Sequence, residues 1–157
     1  ENVLSDTTFF QASASAKWIK TVGATRLLAR AEVGSTIKQS LDELPATVRF
    51  FAGGDTSVRG YDYETIGPVD LDGNIIGGSH KVVLSLEADW EVRENWAVAI
   101  FVDSGSAFND SDFDLNTGIG LGLRWYSPLG PIRVDIAHPL DDPSSDYRFH
   151  ITLGPDL

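Results

Sequence analysis

The chain alternates apolar and polar residues with a period of two along almost its whole length. In one segment, for example, Val82, Leu84, Leu86, Ala88 and Trp90 alternate with mostly charged or polar neighbours. Seven segments show this pattern, at residues 10–18, 26–33, 81–90, 96–103, 116–125, 132–137 and 147–153. Because successive side chains of a strand point to opposite faces, the pattern predicts seven β-strands, each with one apolar and one polar face.

The connections between these segments come in two lengths. Those at residues 21–23, 93–95 and 127–131 are tight, whereas those at 35–44, 104–114 and 141–146 are longer and acidic. The longest connection, residues 45–78, is rich in Gly and Asp. Because tight and long connections alternate, we predict an all-β fold, an antiparallel up-and-down meander with tight turns at one end and long loops at the other.

The composition excludes several classes of site. With 12 Lys and Arg against 23 Asp and Glu, the formal net charge is −11, so the chain would repel the phosphates of a nucleic acid. The chain has no Cys, and its three His residues lack the spacing of a zinc site. The acidic segments 110–114 and 141–142 lack the register of an EF-hand, and no GxSxG motif is present. We therefore expect no metal or other cofactor and no enzymatic activity.

Alternating strands of this kind fit two environments. In a soluble β-sandwich or barrel, the apolar face points inward and the charged face meets water. In an outer-membrane barrel, the apolar face meets lipid and the polar face lines an aqueous lumen. The alternation is the same in both, so it leaves open the choice between a transmembrane barrel and a soluble β-sandwich that acts as a binding module.

Three features favour the membrane. The four Trp residues lie at the tight-turn ends of apolar faces, as in the aromatic belt of a membrane interface: Trp18, Trp90, Trp96 and Trp125. Basic residues lie on the polar strand faces, as suits a charged lumen: Lys17, Arg26, Arg30, Lys81, Arg124, Arg133 and Arg148. Along one polar face Gly118, Gly120 and Gly122 alternate, which leaves room for the close approach of another segment.

The longest connection carries an arginine between glycines. Gly53, Gly54 and Gly60 permit a tight backbone path around Arg59. Arg59 either lies in an exposed turn or folds back onto the polar face, where a buried guanidinium requires carboxylate partners. In the second case Glu87 and Asp103 are the candidate partners, because both lie on the polar faces of the next two strands.

Five motifs resemble, in the same order, those of the BamA/TamA superfamily of outer-membrane assembly factors. The first is Val58-Arg59-Gly60-Tyr61, which is similar to the VRGY/F signature of that family. The others are LSLE at residues 84–87, FVDSG at 101–105, GIGLGLRWYSPLGP at 118–131 and FHITLGPDL at 149–157. Within the superfamily, the RFFAGGD segment at 49–55 and the GPDL ending are most similar to the TamA branch.

The resemblance implies a fold and an extent for this chain. The family has a sixteen-stranded transmembrane barrel that follows periplasmic POTRA domains. Residues 1–157 are then expected to form the C-terminal portion of the barrel, with its last seven strands, a lumen-directed loop at about 45–78 and no POTRA domains. The resemblance also implies a loop lock in the lumen, made of Val58, Arg59, Gly60, Tyr61, Glu87 and Asp103. A charge swap of Arg59→Glu with Asp103→Arg is expected to restore part of the function lost in Arg59→Ala.

The resemblance further implies assembly or translocation without chemistry on a substrate. The expected location is the bacterial outer membrane, where the protein contacts lipid and inserts client β-barrel or autotransporter proteins. A TamB-like partner anchored in the inner membrane is also expected. Clients would pair at a weak seam formed by the last strand and its β-signal, which comprise Tyr147, Phe149, Ile151, Leu153, Gly154 and Leu157. A two-partner secretion pore and the barrel of a patatin-like protein remain alternatives within the superfamily.

Overall fold

A computed structural model describes residues 9–37, 45–109, 113–128, 130–141 and 145–154. These residues form seven strands in one sheet, in which each strand pairs antiparallel with the next along the chain. The strands are β1 (Phe10–Val22), β2 (Thr25–Ile37), β3 (His80–Arg93), β4 (Trp96–Phe108), β5 (Asn116–Ser127), β6 (Gly130–Pro139) and β7 (Arg148–Leu153). The predicted all-β, up-and-down antiparallel fold is confirmed.

Most strands are longer than their apolar segments. β2 continues to Ile37 and β4 to Phe108, because backbone pairing persists beyond the residues that alternate. β7 is the exception, since it begins at Arg148 and so excludes Tyr147. It ends at Leu153, and Gly154 follows with a φ of 121°, a left-handed conformation that favours glycine. Leu157, predicted as part of the β-signal, lies outside the described residues.

The two faces of the sheet have the reverse of the polarity of a soluble domain. The apolar side chains of β3 to β7 are largely exposed, and Leu121 and Phe149, for example, are 60% and 75% exposed. The opposite face is covered, and it buries charged residues such as Glu87 and Asp103. A soluble sandwich buries its apolar face instead. We interpret the exposed face as the lipid-facing surface of a barrel wall and the covered face as its luminal surface.

The connection between β2 and β3 folds back onto the covered face. It contains a short 3₁₀ turn at Ala46–Val48 and isolated backbone bridges that include Phe50 with Gly78 and Ala52 with Ile66. A small apolar cluster joins this loop to β3 and β4, formed by Ala52, Val58, Ile66, Val83 and Ala107. The cluster holds the loop against the sheet and so fixes the position of Arg59.

The four Trp residues lie at the tight-turn ends of their strands, on the exposed face. Trp18 is about half exposed, and Trp90, Trp96 and Trp125 are more than a third exposed. The rings of Trp96 and Trp125 stack across β4 and β5, with centroids 5.8 Å apart and planes inclined by 15°. In the described ranges, no helix has the length and apolarity needed to cross a bilayer.

Two exposed leucines provide a test of the lipid-facing assignment. Leu121 lies in the middle of β5 on the exposed face, whereas Leu71 is fully exposed in the connecting loop. We expect Leu121→Arg to lower the free energy of unfolding of the full-length protein in lipid vesicles by about 2–4 kcal/mol, since arginine at mid-bilayer is costly. Leu71→Arg is the matched control and should change it by less than about 0.5 kcal/mol. Equal effects of the two substitutions in urea titrations would contradict the assignment.

Candidate functional site

Arg59 lies at the tip of the loop and is 6% exposed. Its Nε donates to Asp103 Oδ2 at 2.7 Å, and its Nη2 donates to Asp103 Oδ1 at 3.1 Å. Its backbone N–H donates to the same carboxylate at 3.2 Å. Asp103 also accepts a hydrogen bond of 2.5 Å from Ser85 Oγ. The guanidinium and the loop backbone are therefore held by one carboxylate of β4 in a two-pronged geometry.

The remaining guanidinium nitrogen of Arg59 reaches two other strands. Its Nη1 donates to Glu87 Oε2 of β3 at 2.8 Å and to Asp135 Oδ2 of β6 at 3.0 Å. The structure thus brings Arg59, Glu87 and Asp103 together and adds Asp135. Asp135 lies on the polar face of β6 between apolar neighbours, which is the same signal that singled out Glu87 and Asp103. The sequence prediction missed it because only the next two strands were considered.

Phe101 completes the surroundings of the guanidinium. The Cζ atom of Arg59 lies 3.4 Å from the centroid of the Phe101 ring, in a cation–π arrangement. Phe101 is buried on the covered face of β4, two residues before Asp103. The aromatic residue of the FVDSG motif therefore has a defined contact, which the sequence alone did not assign.

Two further arginines extend the network. Arg133 Nη2 donates to both Glu87 oxygens, at 2.6 and 2.8 Å. Arg124 Nε donates to Glu87 Oε1 at 3.2 Å, and Arg124 Nη1 forms a close ion pair with Asp135. Three buried guanidinium groups thus surround three buried carboxylates. Such burial is tolerated because each charge has partners of opposite sign.

This arrangement changes the expectation for a charge swap. In Arg59→Glu, the new carboxylate would face Glu87 and Asp135 as well as the substituted position 103. Repulsion from those two carboxylates would remain after Asp103→Arg. The swap suggested by the sequence is therefore not expected to restore function, and removal of both partners is the better test.

The other residues of the VRGY motif also contact the sheet or the residues that flank it. Val58 is fully buried in the apolar cluster. Gly60 has a φ of 101°, and a Cβ atom there would lie 3.1 Å from the carbonyl carbon of His138 in β6. The Tyr61 hydroxyl donates to Asp141 Oδ2 at 3.0 Å, just beyond β6. The four residues together attach the loop tip to β3, β4 and β6.

An arginine of β2 also holds the loop, by donating hydrogen bonds to backbone carbonyl groups of the loop. Arg30 Nη1 donates to the carbonyl of Thr56 at 2.6 Å, and Arg30 Nη2 donates to that of Ser57 at 3.0 Å. Sequence reasoning placed Arg30 on the polar face but gave it no role. Carbonyl groups are present at every residue, so the sequence carried no signal for this contact.

The three glycines of β5 accommodate three different groups. A Cβ atom at Gly118 would lie 1.9 Å from the carbonyl oxygen of Arg59, so the loop backbone occupies this space. At Gly120 a Cβ would meet the Phe101 ring, and at Gly122 it would meet the carboxylate of Asp135 and the guanidinium of Arg124. A Cβ at Gly120 would also meet the backbone carbonyl of Ile136 in the neighbouring strand β6, so another backbone lies close at Gly118 and at Gly120, and the backbone of the loop does so at Gly118.

The electrostatic environment keeps Arg59 charged and Tyr61 neutral. Burial by itself lowers the pKa of Arg59, but the hydrogen bond to Asp103 and the charges of Asp103, Glu87 and Asp135 outweigh it and raise that pKa. Burial raises the pKa of Tyr61, and the hydrogen bond to Asp141 raises it further. The phenol therefore remains a hydrogen-bond donor over the physiological pH range.

Most of the predicted seam residues are exposed. Phe149, Ile151 and Leu153 point to the exposed face of β7, and Tyr147, which is also exposed, contacts the ring of His138 with centroids 4.9 Å apart. Gly154 N–H donates to the carbonyl of Pro131 at 3.0 Å. Within the described part of the chain, no group of three or more His, Asp or Glu side chains is arranged to hold a metal ion.

Comparisons with known proteins identify a family and relatives for this chain. The model of the Omp85 superfamily domain matches residues 1–156. The outer membrane protein assembly factor BamA of Nitratidesulfovibrio vulgaris is 32% identical over 137 residues, which cover 80% of this chain and 17% of that protein. BamA of Neisseria meningitidis is 28% identical over 151 residues, which cover 71% of this chain and 19% of that protein.

Two other relatives widen the comparison. The chloroplastic outer envelope protein 80 of Arabidopsis thaliana is 32% identical over 117 residues, which cover 67% of this chain and 14% of that protein. The crystal structure of Haemophilus ducreyi BamA lacking POTRA domains 1–3 shares the fold, with a TM-score of 0.77 and 21% identity. The match covers 92% of this chain and 35% of that structure.

The match to the superfamily domain spans nearly the whole sequence, and the chain covers less than a fifth of each named sequence relative. The expected outer-membrane location is confirmed. The inverted sheet, with its loop arginine held among carboxylates, is therefore part of an outer-membrane β-barrel wall, and the chain belongs to the Omp85 superfamily.

Proposed function

We propose that the protein containing this chain inserts β-barrel clients into the outer membrane, and that β7 is the edge at which a client strand pairs. The observation that carries the proposal is that β7, whose sequence resembles the β-signal, forms one edge of the sheet, while β1 forms the other. β7 has six residues, and among the described residues it pairs with β6 alone. Its other edge therefore carries backbone groups that a neighbouring strand can bind.

In the membrane, such an unpaired edge favours pairing with another strand. Lipid offers no hydrogen bonds to backbone N–H and C=O groups, so an unpaired strand edge is costly in the bilayer. A client segment that pairs with β7 satisfies both edges at once by β-augmentation. The exposed side chains Phe149, Ile151 and Leu153 place the apolar face of this edge at lipid depth, where the client strand must enter.

The loop lock supports this role by keeping the rest of the wall rigid. Arg59 joins β3, β4 and β6 through three carboxylates, and Arg30 joins β2 to the same loop. Strands tied together in this way keep their register while the terminal strand exchanges partners. The proposed division is therefore a fixed wall from β2 to β6 and an exchangeable edge at β7.

A narrower client class has its own support. The names of the two bacterial sequence relatives support a general assembly factor of the BamA type. The RFFAGGD segment at 49–55 instead resembles the TamA branch, which favours autotransporter clients and a TamB-like partner. We therefore propose autotransporters as the second candidate client class.

Reconstitution tests the function and separates the two client classes. The full-length protein in lipid vesicles should increase the folded, protease-resistant fraction of a urea-denatured client barrel above that in protein-free vesicles. A simple eight-stranded barrel and an autotransporter barrel should be compared in parallel. Preference for the autotransporter supports the TamA-type role, and equal acceleration supports the general role. Absence of acceleration for both clients would refute the proposed function.

Removal of the arginine should destabilise the wall. Arg59→Ala leaves Asp103 without the guanidinium that neutralises it, and breaking a buried ion pair costs about 3–5 kcal/mol. We expect the free energy of unfolding in vesicles to fall by that amount and client insertion to slow. The double variant Arg59→Ala with Asp103→Asn should lose less than the sum of the single losses, by about 0.5–3 kcal/mol. Additive losses would show that the two side chains are not coupled.

Gly118 provides an independent test of loop docking. Gly118→Val places a side chain where the carbonyl of Arg59 lies, so the loop tip must leave the wall. We expect protease cleavage within residues 53–63 to accelerate in intact vesicles. Gly73→Asn is the matched control, because Gly73 faces open space and Asn tolerates its positive φ. Loop cleavage at the wild-type rate in Gly118→Val would contradict the observed docking.

A further inference from the structure

The tip of the loop between β2 and β3 also contacts β7, through His150 of that strand. His150 lies on the covered face of β7 and is 5% exposed. Its Nε2 accepts a hydrogen bond of 3.1 Å from the backbone N–H of Gly60, and its Nδ1 forms a close hydrogen bond with the carboxylate of Asp55. One imidazole ring thus connects β7 to two points of the loop that are 90 and 95 residues away in sequence.

The two contacts together require one state of the ring. The Gly60 N–H is a donor, so Nε2 must be unprotonated in order to accept it. The Asp55 carboxylate is an acceptor, so Nδ1 must carry the hydrogen. A neutral imidazole protonated at Nδ1 satisfies both partners, and its other states satisfy fewer. The partners therefore select both the ring orientation and the tautomer.

The same loop tip holds the neighbouring strand. Asp135 of β6 lies directly opposite His150 in the sheet, and it accepts a hydrogen bond from Arg59. Consecutive loop residues therefore bind consecutive strands, since Arg59 holds β6 and Gly60 holds β7. Displacement of the loop tip from one strand must disturb its contact with the other.

An open groove of about 540 Å³ lies between loop residues 54–63 and β7. At its exposed side Arg148 of β7 forms an ion pair with Asp62 of the loop. An exposed pair of this kind contributes little to stability. The contacts of His150, buried with Gly60 and partly buried with Asp55, are therefore the stronger links between the loop and the strand.

We propose that Asp55, Gly60 and His150 form a loop–seam latch, in which His150 is a positioning residue that keeps β7 paired with β6 while the loop is docked. Loss of the His150 contacts frees β7 to exchange partners, while Arg59 still holds β3, β4 and β6. The latch deepens the proposed function and rests on it, because it makes the loop the element that controls access of a client to the seam.

Hydrogen–deuterium exchange of the full-length protein in lipid nanodiscs, without client, tests the latch. His150→Ala and Asp55→Ala should each raise the exchange rate of the backbone amides of residues 148–153 about tenfold, as expected for loss of a hydrogen bond that holds β7. Amides of β3 to β5 should exchange as in the wild type. The double variant should add little to either single variant, since both remove the same link.

Conservative variants separate positioning from general loss of packing. An Asn amide at position 150 overlaps the Nδ1 position and retains the contact with Asp55, whereas a Gln amide overlaps Nε2 and retains the contact with Gly60. In both variants, the exchange rate of the amides of residues 148–153 should lie between the rate in the wild type and the rate in His150→Ala. Thr152→Ala is the matched control, because Thr152 lies on the same face of β7 and outside the latch. It should exchange as the wild type does.

The exchange rates decide whether the latch exists, and client insertion decides whether β7 is the client edge. If Asp55→Ala accelerates exchange only in the loop itself, or if β7 exchanges at the wild-type rate in His150→Ala, the latch is overturned. If His150→Ala does not assemble, the Asn and Gln variants decide in the same way. Because no client is present, these results do not depend on assembly activity. Client insertion unchanged in variants whose β7 is loosened would refute β7 as the client edge and leave the coupling intact.

Discussion

The buried guanidinium of Arg59 is the interaction on which the rest of the structure depends. A single charge in a covered site is unfavourable, and three carboxylates from three strands offset that cost. Glu87 is shared with Arg124 and Arg133, and Asp135 is shared with Arg124, so these charges are also stabilised by their neighbours. As a consequence, one planar guanidinium group joins the loop to β3, β4 and β6, and these three strands hold that group in place.

The polarity of the sheet explains why such a network can exist at all. A strand that presents leucine and valine to lipid has only its other face for charged groups. That face is narrow and covered by the loop, so its charges are forced together and must balance. The apolar exterior and the charged interior are therefore two results of one alternation, and neither could change without the other.

Much of this could be predicted from residue order, and the rest depended on register. The alternation of apolar and polar residues, as around Leu84 and Leu86, was sufficient to predict the strands. The position of Arg59 in a glycine-rich loop indicated Glu87 and Asp103 as its partners. The contribution of Asp135 depends on how β6 aligns with β5, which the tight turn sets and the alternation does not. The contacts of Arg30 are with carbonyl groups, which carry no residue-specific signal. The pairing of His150 with Asp55 depends on the path of the loop, which the positive φ angles of Gly53 and Gly54 direct.

The long sequence separations within the Arg59 network have a consequence for the order of folding. Arg59 lies 28, 44 and 76 residues from Glu87, Asp103 and Asp135. Contacts that close such long loops form late, after nearer strands have paired. Arg59 can therefore bind Glu87 and Asp103 once β3 and β4 have paired, but it gains Asp135 only when β6 is in place beside β5. Docking of the loop would then act as a checkpoint, since it is complete only in a wall whose strands have assembled in the correct order.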